Sequence, residues 1–217
     1  MSGAVERFAD DAGDVPVRGA VHRPATPGVD VLVLTHGAGG NHAAPILHAV
    51  AEAFAARQTT VLRCDLPFRQ ARPNGPPSPA GAGRDRAGLR RAVELMRARC
   101  PGRVLLGGAS YGGRQATLLA AEHPGLVDGL LLLAYPLHAP GRPDAPRAAH
   151  FPNIRTPTLF VHGTRDPFAT IDELDAVRLT LGAASALLRV ADAGHDLGRG
   201  RTPFADDLPD RLLALLG

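Results

Sequence analysis

Short apolar runs alternate with helical stripes along almost the whole of this chain. Val31-Leu-Val-Leu-Thr35 is a continuous apolar run of strand length, the pattern of a strand buried on both faces. Ile46, Leu47, Val50 and Phe54 then fall on one stripe of a helix over 44–57. The alternation continues with strands over 59–64, 104–107, 127–135, 157–162 and 186–190, and helices over 84–99, 112–124, 171–181 and 203–216. Val15–Val21 reads as an extra edge strand. Such a sequence predicts an α/β fold with a mostly parallel central sheet and helices on both faces. No repeat or shift in composition divides it, so one domain is expected over 1–217. Two stretches rich in Pro and Gly, 65–83 and 136–156, read as long loops. With no room for a separate cap domain, they are expected to roof any site. In open parallel sheets that site lies beyond the C-terminal ends of the strands.

Composition narrows the class. With 217 residues, 45% hydrophobic and 21% charged, the chain can bury a core without disulfide or metal staples. Its longest apolar run, Leu130–Tyr135, is far short of the ~20 residues that span a membrane. The opening MSGAVERFADDAGD is acidic and has no apolar signal region. A cytoplasmic protein is expected, with Cys64 and Cys100 as structural free thiols. All 24 basic residues are Arg. Because little titrates above neutrality, a net charge of only +3 carries the pI to about 9.5. Seven arginines between Arg84 and Arg103 face only Asp85 and Glu94. They read as a solvated helix face, with Arg90–Glu94 as an i,i+4 pair. Few aromatics and no recognition motif argue against nucleic acid as a partner.

The chemistry concentrates at strand ends. Gly108-Ala-Ser110-Tyr-Gly112 reads G-x-S-x-G, directly after one strand and before a helix. Strand and helix come so close at such a turn that only small residues fit two positions either side, and the serine oxygen projects above the sheet. A serine hydroxyl needs a base to take its proton. Of nine histidines, His195 is best placed, in Ala193-Gly-His-Asp196 before the last helix. His36 more often orients its loop, and His162 packs or bonds backbone. His22, His42, His48, His123, His138 and His150 lack supporting context. An acid must hold the base in its useful tautomer. Asp166 follows the 157–162 strand, with Asp192 and Asp196 as competitors. The chain order is then Ser110, Asp166, His195. Oxyanion donors are expected from the backbone N–H groups of Tyr111 and of Ala38, in His36-Gly-Ala-Gly-Gly40. That loop is followed by no Walker lysine and contains no G-x-G-x-x-G, so no dinucleotide is expected. Neither a cofactor nor a metal is expected. Phe68, His138 and Phe151 are candidates for contact with substrate, beside an arginine rim that includes Arg142 and Arg147.

The elbow, the His-Gly loop and the ordered Ser–Asp–His resemble the α/β-hydrolase superfamily across nearly the whole chain. Thr35-His-Gly-Ala-Gly-Gly40, Gly112-Gly-Arg114, the 134–143 stretch and Pro157–Phe168 look more specifically like one small branch. It includes predicted bacterial hydrolases, testis-expressed protein 30 and NSL-complex subunit 3, and is related to dienelactone hydrolases. The resemblance implies Ser110 as nucleophile, Asp166 as acid and His195 as base. Dienelactone hydrolases carry Cys at the elbow, so their activity is not implied here. One member of the branch serves as a subunit of a chromatin complex. The expected activity is therefore hydrolysis of an ester or related acyl bond in a small molecule. An acyltransferase using the same residues and a non-catalytic interaction module on this fold stand as alternatives.

Overall fold

The computed structural model describes residues 3–139, 141–142, 144–198 and 202–217. Pro140 and Pro143, within the second Pro-rich stretch, lie outside the described residues. Eight strands form one sheet: β1 (Ala4–Asp10), β2 (Val17–Arg23), β3 (Val31–Thr35), β4 (Thr60–Cys64), β5 (Val104–Ala109), β6 (Gly129–Leu133), β7 (Thr158–Gly163) and β8 (Ser185–Val190). Their order is β1-β2-β4-β3-β5-β6-β7-β8. β2 is antiparallel to both β1 and β4, and every pairing from β4 to β8 is parallel.

The helices are α1 (Pro45–Ala56), α2 (Pro67–Ala71), α3 (Ala82–Arg97), α4 (Tyr111–Glu122), α5 (Ile171–Arg178) and α6 (Leu208–Leu216). Alternation along each strand divides the core in two. Val31, Val33, Leu106 and Leu132 face Leu89, Val93 and Met96 of α3 and Leu119 of α4. Leu32, Leu34, Leu105 and Leu131 face Leu47, Val50 and Phe54 of α1 and Leu208 and Leu212 of α6. The sheet is thus covered on both faces, with no separate cap domain among the described residues.

Three expectations need correction. Val15–Val21 is no edge: β2 lies inside the sheet, and β1 outside it forms the edge. β1 escapes sequence reading because most of its residues are exposed and it has no apolar face. The stretch 65–83 is not one loop, since α2 and the start of α3 fall within it. The last helix is shorter than 203–216, because residues 203–207 form a 3-10 turn ahead of α6.

Candidate active site

Each polar cluster sits where a parallel strand ends. Ser110 follows β5 at φ 48° and ψ −113°, a strained backbone held in place from both sides. Its N–H donates to the Leu133 carbonyl at 2.8 Å, and its own carbonyl accepts from Arg114 N–H at 3.0 Å. The tightness of the turn explains its glycines. A Cβ on Gly108 would lie 2.5 Å from the Gly112 carbonyl carbon, and one on Gly112 would lie 2.6 Å from the His36 oxygen.

The structure brings Ser110, His195 and Asp166 into one hydrogen-bonded chain. His195 Nε2 is 2.8 Å from Ser110 Oγ, and Nδ1 is 2.8 Å from Asp166 Oδ2. The Asp166 side chain is wholly buried, whereas His195 is 26% exposed. Asp166 Oδ1 accepts the Phe168 N–H at 2.9 Å, which fixes the carboxylate plane. The loops after β7 and β8 are joined by backbone, Arg165 N–H donating to Ala193 O at 2.9 Å and Thr164 N–H to Val190 O at 3.0 Å. A side chain at Gly163 would collide with the Ala193 carbonyl.

The competing acids point elsewhere. Asp192 pairs with Arg165 at 2.5 Å on the surface. Asp196 Oδ1 accepts the N–H of Gly198 at 3.2 Å. His162 is buried beneath the acid, Nε2 3.0 Å from the Ala169 carbonyl and 3.7 Å from Asp166 Oδ2, and burial lowers its pKa.

His36 orients its loop as expected. It is buried, and burial lowers its pKa, leaving a neutral ring. Nδ1–H donates to Gly37 O at 2.8 Å, and Nε2 accepts from Leu66 N–H at 3.1 Å. The Gly37 carbonyl also accepts from Gly40 N–H at 3.1 Å. A trans peptide carries its N–H opposite its carbonyl, so drawing the Gly37 oxygen inward turns the Ala38 N–H outward. Gly37 lies against the nucleophile: an added Cβ would meet Ser110 Cβ at 3.4 Å. Among the described residues, neither the Ala38 N–H nor the Tyr111 N–H donates to another group of the chain.

The substrate-contact candidates separate. Phe68 is half-buried beside the elbow, its ring 5.8 Å from Tyr111 and 5.6 Å from His36. His138 turns its ring to Glu173, at 3.3 Å, and reaches the neighbourhood through its N–H on the Phe168 carbonyl at 2.9 Å. Phe151 is corrected outright. It is 0% exposed and packs against Tyr135 and Phe160 in the core, so it lines no open site. Ile154 is buried as well, and the Tyr135 hydroxyl ties down the Arg147 carbonyl at 2.7 Å.

Three residues at the site carry no sequence signal of their role. The Phe168 ring meets His195 edge to face, with centroids 4.5 Å apart. Asp85, on α3, accepts the Tyr111 hydroxyl at 2.8 Å and the Phe68 N–H at 3.0 Å. Burial first, and then this acceptor, raise the Tyr111 pKa. Arg69 binds the His36–Gly40 loop. Two clefts elsewhere, of about 360 and 470 Å³, contain none of these groups. Among the described residues, no cluster of His, Cys, Asp and Glu could hold a metal ion.

Fold and site together define a class. The family model for the alpha/beta hydrolase domain matches residues 28–204, and the chain belongs to that family. Solved structures agree on the fold. An alpha-beta serine hydrolase homologue from Coxiella burnetii superposes with a TM-score of 0.78 at 16% identity, covering 95% of this chain and 97% of that one. Dienelactone hydrolase from Anabaena variabilis gives 0.75 at 21% identity, covering 99% and 96%. An a/b serine hydrolase without lid from Xanthomonas campestris gives 0.70 at 22% identity, covering 97% and 93%.

Proposed function

We propose that the chain is a serine hydrolase that cleaves an ester or related acyl bond in a small molecule. The observation that carries this reading is the Ser110 Oγ–His195–Asp166 chain, with both links at 2.8 Å, at a strained elbow above the sheet. In the reaction Ser110 Oγ attacks the substrate carbonyl carbon while His195 Nε2 takes the hydroxyl proton. The carbonyl π electrons move to oxygen, where the N–H groups of Tyr111 and Ala38 receive the charge. Buried Asp166 accepts from Nδ1–H and stabilises the imidazolium. Collapse of the intermediate expels the alcohol, protonated by His195, and leaves an acyl-serine. Water, deprotonated by His195, then releases the acid. No step calls on a cofactor.

An acyltransferase would place another hydroxyl or amine where the water attacks, with the same residues. A purely binding role would not require the serine, the base and the acid to be aligned. Phe68, against Tyr111, and Phe168, against His195, supply apolar surface near the elbow, which suits a small acyl group. Within the family, the His-Gly loop and the Gly-Gly-Arg114 start of α4 favour the branch of testis-expressed protein 30 and NSL-complex subunit 3. A cytoplasmic location fits two free cysteines, one of them buried. Among the described residues no helix is long and apolar enough to cross a membrane.

The test is labelling with a fluorophosphonate probe, followed by p-nitrophenyl esters of rising acyl length. Ser110→Ala should abolish labelling and lower kcat on the order of 10⁶-fold with the fold intact. Labelling of the Ala variant at the wild-type rate would end this assignment.

A further inference from the structure

Arg69 is buried in α2, at 8% exposure, and the hydrogen-bond partners of its guanidinium among the described residues are carbonyls, not carboxylates. A buried guanidinium is costly unless its donors are satisfied. Here backbone carbonyls satisfy them, drawn from two separate segments. Nε–H donates to Gly40 O at 2.8 Å, and Nη2 to Ala38 O at 2.9 Å and Gly75 O at 3.2 Å. Nη1 donates to Pro73 O at 2.6 Å and Arg72 O at 3.4 Å. The guanidinium also lies 5.0 Å from the centre of the Phe68 ring.

Two of those carbonyls belong to the loop that faces Ser110. The Gly37–Ala38 peptide is already pinned through the Gly37 oxygen by His36 and by the Gly40 N–H. Arg69 pins the next peptide through the Ala38 oxygen. With the planes on both sides of the Ala38 Cα held, neither backbone torsion of Ala38 is free. A planar fork with five N–H groups can hold two loops at once, which one ammonium nitrogen cannot.

We propose that Arg69 is a positioning residue for catalysis, holding the Ala38 N–H in its oxyanion-binding direction before substrate arrives. This rests on the serine-hydrolase reading. A fixed donor stabilises the developing oxyanion without reorganising during the reaction. Loss of the fork should therefore weaken transition-state binding and leave ground-state binding alone.

The experiment compares wild type, Arg69→Lys, Arg69→Gln and an Arg90→Ala control, the control side chain being exposed and paired with Glu94 on the surface of α3. It measures kcat and KM on the best p-nitrophenyl ester, affinity for a boronic acid that forms a tetrahedral adduct on Ser110, and amide exchange over residues 37–41. In both Arg69 variants kcat should fall about 10- to 100-fold with KM unchanged. Boronate affinity should fall by a similar factor, and exchange at Gly40, whose N–H bonds the Gly37 carbonyl, should quicken. The control should match wild type. Unchanged kcat, unchanged exchange, or a rise in KM that accounts for the whole loss would overturn the proposal. So would failure of both variants to fold, which would make Arg69 a stability residue alone. A wild-type protein inert to the fluorophosphonate would instead defeat the hydrolase reading, and this proposal with it. A labelled wild type with a fully active Arg69→Lys variant would defeat only the positioning role.

Discussion

Among the acids near His195, what separates Asp166 from Asp192 is where each carboxylate goes. Asp166 is sealed under the imidazole and aligned by the Phe168 N–H, whereas Asp192 is spent on Arg165 at the surface. Asp166→Asn should therefore lower kcat on the order of 10⁴-fold by favouring the wrong tautomer of His195. Asp192→Asn should stay within a few-fold of wild type. Side-by-side kcat values decide between them, and a crippled Asp192→Asn would move the acid to the histidine's own loop. Ser110, Asp166 and His195 can be picked out from sequence because each follows a strand at a recognisable turn. Arg69, Asp85 and Phe168 cannot. Arg69 looks like one of two arginines in a Pro-rich stretch, and its meaning lies in carbonyls some thirty residues away in the chain. Asp85 looks like a lone acid among arginines, yet its oxygens hold the Tyr111 hydroxyl and the Phe68 N–H.

At the level of elements, strands buried on both faces are legible because a continuous apolar run of strand length, closed off by turn residues, fits little else. β1 is not, since only its pairing with β2 defines it. α2 is hidden by its setting: five residues that open on Pro67 carry too little periodicity to announce a helix. The elbow lies between these cases. Its glycines suggest close approach, and the structure identifies the neighbour of Gly112 as the His36 carbonyl, at the root of the His36–Gly40 loop. Gly112→Ala should therefore do two things at once. Overpacking should cost about 1–3 kcal/mol of stability. Retreat of the His36 carbonyl should lower kcat more than that loss of folded protein explains. Thermal unfolding together with kcat per folded molecule checks both, and full activity in a folded Gly112→Ala variant would show that the loop tolerates displacement.

Over the whole molecule, the arginine-rich segment changes its character once the chain has folded. Arg86 pairs with Glu122, Arg91 with Asp10, Arg97 with Asp128 and Arg103 with Asp30, all carboxylates remote in sequence. Local counting finds only Asp85 and Glu94. Association with DNA is accordingly expected to be weak and to vanish by about 200 mM salt, as a titration at several salt concentrations would show. Acid should act on the fold through its histidines. Burial, with Arg63 and His48 nearby, lowers the His22 pKa to about 4, and its Nε2 accepts Arg63 Nε–H at 2.7 Å. The unfolded chain therefore takes up a proton near pH 6.5 that the folded chain refuses until about 4. Stability present above pH 6.5 is lost as pH falls through that window. His36, His150 and His162 are shifted in the same direction. For His22 alone the loss is on the order of 2 kcal/mol by pH 5, or about 4–8 °C in Tm. His22→Gln keeps an acceptor for Arg63 without titrating, so its Tm should fall less between pH 7 and pH 5.

The backbone bonds between the loops after β7 and β8 have a mechanical consequence. Asp166 and His195 ride on a single plate, stitched by Arg165 to Ala193 and Thr164 to Val190, while Ser110 is anchored separately to Leu133. Any relative motion of plate and elbow would leave the imidazole on its carboxylate and change the gap between Ser110 Oγ and His195 Nε2, which on the serine-hydrolase proposal is the gap the proton crosses.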